Sequence, residues 1–485
     1  LPRRVGISTC EFKKGFQGTD QEHKARRQTR GRDRVLAARR AVAENIGRVY
    51  EGAVQDVPEH AEIFYVPKNC PNADVLQKIG PARVLYLNRA DKANVVDLQY
   101  ALHVKAAIET VEWEHKIAQL LFIRSNLTDH FIPGADLKKL YCTAKAGLPY
   151  PYEFLRAQYD LAWAVHTAAL PCMVCTDGTA MGIGASMLAN SLLSSVSEKT
   201  IFACPETTYG FFPDCGMAFR LARLPYHIGV YLALTGNRLV GSNIIHAGLA
   251  TFLYHADELQ FVEEHISKRP QQSLTRTMFK LFDMDMQKQP FVLVDRLDIM
   301  DKCFSKDSVE GILDALNAQQ SRWARDTRNK ILKNSPLSLK VTLRLLQYAR
   351  DMDHMGECLA FDYRLARKFL TSPDFFEGIE AQMMQRRAPK WHLSLQDVSD
   401  SMVDSFFAPP TDPADEFKVD MTRAHRNLKI HSDVLQAVQA IQQLEDEPDL
   451  DMDPEWLEQQ QPAFEAFDRH RESGSPPPAG LGKNE

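Results

Sequence analysis

From about residue 74 the chain alternates short apolar runs with longer stretches of helical spacing, and that alternation restricts the fold more than any other feature. Arg83–Asn88, Ile117–Arg124, Pro171–Thr176 and Thr200–Ala203 have the length and apolar content of strands. Between the first two, Leu98, Leu102, Ile108 and Val111 repeat at helical spacing. Residues 178–197 are uncharged but rich in Gly, Ser, Thr and Asn, so they read as a buried strand, turn and helix rather than a membrane span. Strands alternating with helices predict an α/β core that ends near residue 270. Beyond residue 320 no strand is legible, and Leu337–Phe369 reads as helix. A chain of 485 residues, 44% of them hydrophobic, is long enough for more than one domain and has ample material for a core.

Charge is distributed unevenly. Residues 1–50 carry 13 Lys/Arg against five Asp/Glu, a net +8, although the whole chain stands at −5. Glu445–Glu458 holds eight acids and no base. The arm suits either an organellar targeting remnant or a basic segment lying on nucleic acid, and a solvated charged face is the plain alternative. Nine cysteines scattered over the chain do not form a secreted disulfide framework and suit a reducing compartment. Cys172 and Cys175 form a lone C-x-x-C, which without a second pair reads as small buried hydrophobes, so no metal site is expected.

Common catalytic signatures are absent: there is no G-x-S-x-G elbow, no phosphate-binding G-x-x-x-x-G-K-[ST] and no H-E-x-x-H. Met187 stands where the last glycine of a G-x-G-x-x-G would fall, so a dinucleotide fingerprint fails as well. The informative segment is Ala203–Gly216, in which Glu206 and Asp214 are separated by Gly210 and Pro213. A turn directly after an apolar strand can bring two carboxylates into one pocket, where burial and mutual repulsion push their pKa values apart for acid/base work. The same residues equally suit a helix N-cap at Asp214 and a structural carboxylate at Glu206. Phe131–Asp136 turns through Gly134, and backbone N–H groups there and at Gly182 to Gly184 could converge on a carbonyl oxygen, or simply form two ordinary glycine turns.

Taken together these residues resemble the crotonase (enoyl-CoA hydratase/isomerase) superfamily, and within it the 3-hydroxyisobutyryl-CoA hydrolase branch. Leu87-Asn-Arg89 with Asn94, Phe131–Asp136 and Pro205–Asp214 are similar to superfamily and branch motifs, and Ser335–Lys340, Asp374–Gly378 and Pro389–Trp391 are similar to motifs specific to the branch. The resemblance implies a crotonase-like α/β core of repeated ββα-type turns over 74–320, a helical C-terminal part over 321–420, a basic N-terminal extension over 1–73 and an acidic tail over 421–485. It also implies catalytic roles for Glu206 and Asp214, an oxyanion hole from the N–H groups of Ala135 and Ile183, and substrate contacts from Gln158, Gly182 and Gly184. Coenzyme A would enter as part of an acyl-CoA substrate, with no separate cofactor and no membrane partner.

Three departures from the branch pattern bear on activity, one of them His130, which stands where the branch commonly has a Lys or Arg that meets coenzyme A phosphate. Ile183 stands where the branch has glycine, which would forfeit any glycine-only conformation and put a branched side chain near ligand. Gln158 replaces a substrate-binding Glu. Relatives of this branch occur in the small subunit of mitochondrial ribosomes, so the resemblance implies two outcomes. One is a ribosomal component of the mitochondrial matrix with weak or lost thioesterase activity, touching ribosomal RNA and proteins through residues 1–50 and the tail. The other is an active hydrolase of valine catabolism.

Overall fold

The computed structural model describes residues 75–79, 82–113, 120–170, 172–258 and 290–421. The basic extension, the acidic tail after Met421 and the expected end of the α/β part near residue 270 lie outside these residues.

Ten strands among the described residues form two sheets. The larger runs β1 (Val75–Ile79), β2 (Ala82–Leu87), β3 (Leu120–Ser125), β5 (Cys172–Thr176), β7 (Leu193–Ser197) and β10 (Phe252–Tyr254). Its β1–β2 pair is antiparallel and every other pair parallel. The smaller holds β4 (His130–Ile132), β6 (Thr179–Met181), β8 (Ile201–Ala203) and β9 (Leu239–Val240). Successive pairs β3/β4, β5/β6 and β7/β8 each give one strand to each sheet before the chain passes into helix. These are the repeated ββα-type turns that the resemblance implies.

The apolar runs form strands because parallel strands covered on both faces must be apolar throughout, as in fully buried β5. Strand β7, Leu-Ser-Ser-Val-Ser, is just as buried yet escaped the sequence reading because its serines carry no hydrophobic signal. Of their hydroxyl groups, Ser197 Oγ donates to Asp177 at 2.5 Å, whereas Ser195 Oγ is buried without a partner.

The helices of the α/β part are α1 (Leu98–Trp113), α2 (Leu137–Lys145), α3 (Tyr150–His166), α4 (Ile183–Asn190), α5 (Met217–Leu221), α6 (Ile228–Thr235) and α7 (Ser242–His246). A helical run follows: α8 (Leu297–Phe304), α9 (Val309–Ala318), α10 (Arg322–Ile331), α11 (Pro336–Ala349), α12 (Met355–Phe369), α13 (Pro373–Ile379) and α14 (Asp400–Phe407). Among the described residues this run includes α8 and α9, where Met300, Phe304, Val309, Ile312 and Leu316 repeat at helical spacing on a buried face. The single stretch expected over Leu337–Phe369 breaks at Arg350–His354 into α11 and α12. Ser335 caps α11, its Oγ accepting from the Ser338 N–H at 3.2 Å with Pro336 in the first turn.

Candidate active site

Glu206 opens a short 3-10 turn, Glu206–Tyr209, immediately after β8, and the turn ends at Gly210 with φ 78°. That glycine is required twice over, since its φ disfavours a side chain and a Cβ there would lie 2.1 Å from the Asp374 carbonyl oxygen. The Glu206 side chain is 2% exposed and its Oε2 has no hydrogen-bond partner. Burial and the nearby charge of Asp214 push its carboxyl well above the usual range.

Asp214 is not a helix cap: Gly216 occupies the N-cap of α5, and no side chain caps that helix. Its Oδ2 accepts from the Tyr159 hydroxyl at 3.0 Å and from Gln158 Nε2 at 3.2 Å. Burial raises the Asp214 carboxyl to about 6, opposed by the donors Tyr159, Cys215 and Gln158. The two carboxylates thus occupy contrasting surroundings. Asp214 is surrounded by donors that favour its charge, whereas Glu206 is buried with its Oε2 unpartnered, so the pair holds a shared proton more readily on Glu206.

Gly182 adopts φ 53° and ψ −123°, a conformation for glycine, and directly precedes α4. A Cβ on it would stand 3.5 Å from Gly134 Cα and 3.9 Å from Glu206 Oε1, so the two glycine turns and the carboxylate meet at one point. Ile183 is the first residue of α4, where an N–H has no partner within its helix. The Ala135 N–H points away from Val96, because the residues on either side of it make the bridge: Val96 N–H donates to Gly134 O at 2.9 Å and Asp136 N–H to Val96 O at 2.8 Å.

The backbone at Ile183 needs no glycine. The glycine-only conformation belongs to Gly182, Ile183 is ordinarily helical, and its side chain is 1% exposed within the hydrophobic core. Gly184 faces β4: a Cβ there would fall 2.2 Å from the Ile132 carbonyl oxygen, so this glycine lets α4 approach the strand. Gln158, on α3, is 3% exposed, donates to Asp214 and to Cys215 Sγ at 3.0 Å, and leaves its Oε1 buried without a partner.

Tyr159 and Asp362 belong to the site, and neither stands out in the sequence. Asp362 on α12 is fully buried, accepts the Gly216 N–H at 2.7 Å and has its carboxyl pushed well up by burial, with Asp214 adding to the rise. A lone acid within an amphipathic helix looks like part of a solvated face, and only packing reveals otherwise. At the rim, Arg89 Nη2 lies 2.9 Å from Asp97, Lys139 Nζ 3.7 Å from Asp97 and Lys92 Nζ 3.6 Å from Asp136. Burial alone would raise the Asp97 carboxyl, yet the Arg89 hydrogen bond, the Tyr100 N–H and the nearby cations hold it at about 2. Three cations thus gather with Asp97 and Asp136 beside the Ala135 turn.

A family model described as enoyl-CoA hydratase/isomerase matches residues 82–407, a span that holds both sheets except β1 together with all the helices above. This chain belongs to that family. A mitochondrial 3-hydroxyisobutyryl-CoA hydrolase from Xenopus tropicalis is 32% identical over 340 residues, covering 69% of this chain and 88% of the relative. The 3-hydroxyisobutyryl-CoA hydrolase-like protein 1, mitochondrial, of Arabidopsis thaliana is 31% identical over 348 residues, covering 69% and 86%. Family membership thus comes with similarity to the branch whose motifs the sequence carries. Among solved structures, a carnitinyl-CoA dehydratase from Mycobacterium thermoresistibile superposes with TM-score 0.65 at 25% identity, over 70% of this chain and 97% of its own.

Proposed function

We propose that this family member hydrolyses an acyl-CoA thioester, 3-hydroxyisobutyryl-CoA foremost, in the mitochondrial matrix. The observation that carries the reading is the convergence of the buried Glu206 carboxyl, its Oε2 without a partner, with the Gly134 and Gly182 turns. A desolvated group without a partner is costly and is retained where a ligand completes it. The Ala135 and Ile183 N–H groups would donate to the thioester oxygen as charge develops on it. Glu206, as carboxylate, would take a proton from water while the hydroxide adds to the carbonyl carbon. Collapse would then break the C–S bond, and the same proton would pass to the departing thiolate, leaving free acid and coenzyme A. Asp214, held charged by Tyr159 and Gln158, would contact the 3-hydroxyl and keep the Glu206 pKa high enough for a strong base.

The test is turnover of purified protein on 3-hydroxyisobutyryl-CoA, with Glu206→Gln expected to remove it. A wild-type rate no faster than that variant would overturn the reading.

A second reading rests on the +8 charge of residues 1–50 and on Gln158 in place of an acid: a component of the mitochondrial ribosomal small subunit with weak or lost hydrolysis. Gradient sedimentation of mitochondrial lysate separates the two, since migration with the small subunit supports the ribosomal reading and a position among free enzymes the first.

A further inference from the structure

Helix α10, Arg322-Trp-Ala-Arg-Asp-Thr-Arg-Asn-Lys-Ile331, is the most basic helix among the described residues and has Arg322, Arg325 and Lys330 exposed. Ala324, Thr327 and Ile331 are buried, and Trp323 packs on Tyr231 with ring centroids 5.7 Å apart, so the helix is anchored by its apolar side. Arg322 is ion-paired with Asp326 at 3.5 Å. Among the described residues, Arg325, Arg328, Lys330 and Lys333 have no carboxylate partner, nor has Arg238 of the neighbouring loop.

The cations are held close to one another rather than dispersed. Burial and the charge of Arg238 both lower the Lys330 pKa, and Lys330 Nζ spends its hydrogen bond on the Asn237 side chain. Arg328 Nε is buried without an acceptor. Trp391, half-buried, donates from Nε1 to Lys333 O at 2.8 Å and extends the face toward exposed Lys390. From Arg322 to Lys330 the helix rises about 12 Å, enough to follow several phosphates of a backbone.

We propose that the α10 face, with Arg238, Lys333 and Lys390, docks the phosphate backbone of a folded RNA. Unneutralised charge of one sign along a helix complements a polyanion, and the arginine fork matches phosphate oxygens in a bidentate manner. Trp391 at the edge supplies a ring on which an unpaired base can stack. A lipid surface would call for apolar side chains projecting among the cations, and Leu332 is the one large apolar side chain exposed on this stretch. This site is separate from the residues 1–50 considered above and does not depend on thioester hydrolysis.

The test compares two triple variants of the full chain that remove the same charge: Arg325→Gln with Lys330→Gln and Lys333→Gln, against Lys302→Gln with Lys306→Gln and Arg350→Gln, all exposed cations. Binding to a structured RNA hairpin is followed by fluorescence anisotropy from low to moderate salt. The first triple is expected to weaken binding and reduce the slope of log K against log salt by about 2 to 3, at roughly 0.7–0.9 for each phosphate that is no longer neutralised. The second is expected to leave the slope nearly unchanged. Circular dichroism and thioesterase rate, measured on both, separate a folding defect or a failure of the hydrolase reading from a failure of this one. Equal effects of the two triples would overturn the proposal, and so would loss of polyglutamate binding with RNA binding intact.

Discussion

Asp214 has a stability consequence of definite sign. Its folded-state pKa of about 6 lies above the ordinary 3.8, so the folded protein binds this proton more tightly than the unfolded chain. Stability from this group is therefore greatest below about pH 4 and falls as pH rises to about 6, where the full cost is roughly 2 to 3 kcal/mol. Asp214→Asn keeps an acceptor for Tyr159 and removes that cost. Its melting temperature should exceed the wild type at pH 7 and converge with it near pH 4, while turnover falls. Gln158→Glu should do the opposite: it places a second carboxyl beside Asp214 and deletes a donor, so its destabilisation should grow from pH 5 to pH 8 in denaturant titrations. Ile183→Gly should not accelerate hydrolysis, because the N–H is already presented by an ordinary helical residue. It should instead cost about 2–5 kcal/mol as a buried branched side chain is removed from the core.

At the scale of elements, the 3-10 turn carrying Glu206 is clamped by the helical part. Ser335 N–H donates to Thr207 O at 3.1 Å, Asn334 Nδ2 to Thr207 Oγ1 at 3.3 Å, and Ser335 Oγ to Asp374 at 2.5 Å. A Cβ on Gly378 would fall 2.2 Å from Tyr209 O, so α13 and the turn that opens at Glu206 touch backbone to backbone. Two of the branch-specific motifs, Ser335–Lys340 and Asp374–Gly378, thus serve to position Glu206 from behind. Gly378→Ala should separate α13 from the turn. The expected result is a fall in kcat larger than any rise in KM, together with a lowered melting temperature, whereas Gly147→Ala, whose Cβ meets nothing within 4 Å but whose φ of +64° strains an alanine, should lower the melting temperature and leave kcat intact.

For the molecule as a whole, the interlock predicts that the helical part and the two sheets of the described residues unfold together. Asp362 of α12 holds the Asp214–Gly216 turn, Arg223 donates to the Ala349 carbonyl at 2.7 Å, and Trp163 of α3 donates to Asp420 O at 3.2 Å. Thermal unfolding followed by near-UV and far-UV circular dichroism should give coincident transitions; two separated midpoints would show the parts to be independent.

The apolar strands, the α/β class and the pair Glu206 and Asp214 were legible because they rest on local properties: hydrophobic run length, glycine and proline at a turn, and acids next to an apolar strand. The motifs that mark the family were legible for the same reason, being short and contiguous. What the chain could not disclose locally were groups whose role depends on burial. Serines hid strand β7, the burial of Asp362 leaves no local signal, the glycine-only conformation lies at Gly182 rather than at Ile183, and the close approach of Gly184 to Ile132 depends on packing. Tertiary packing decided these because desolvation, backbone approach and the direction of an N–H are properties of neighbours distant in sequence. It also set the two carboxylates apart in character, surrounding Asp214 with donors and leaving Glu206 Oε2 without one.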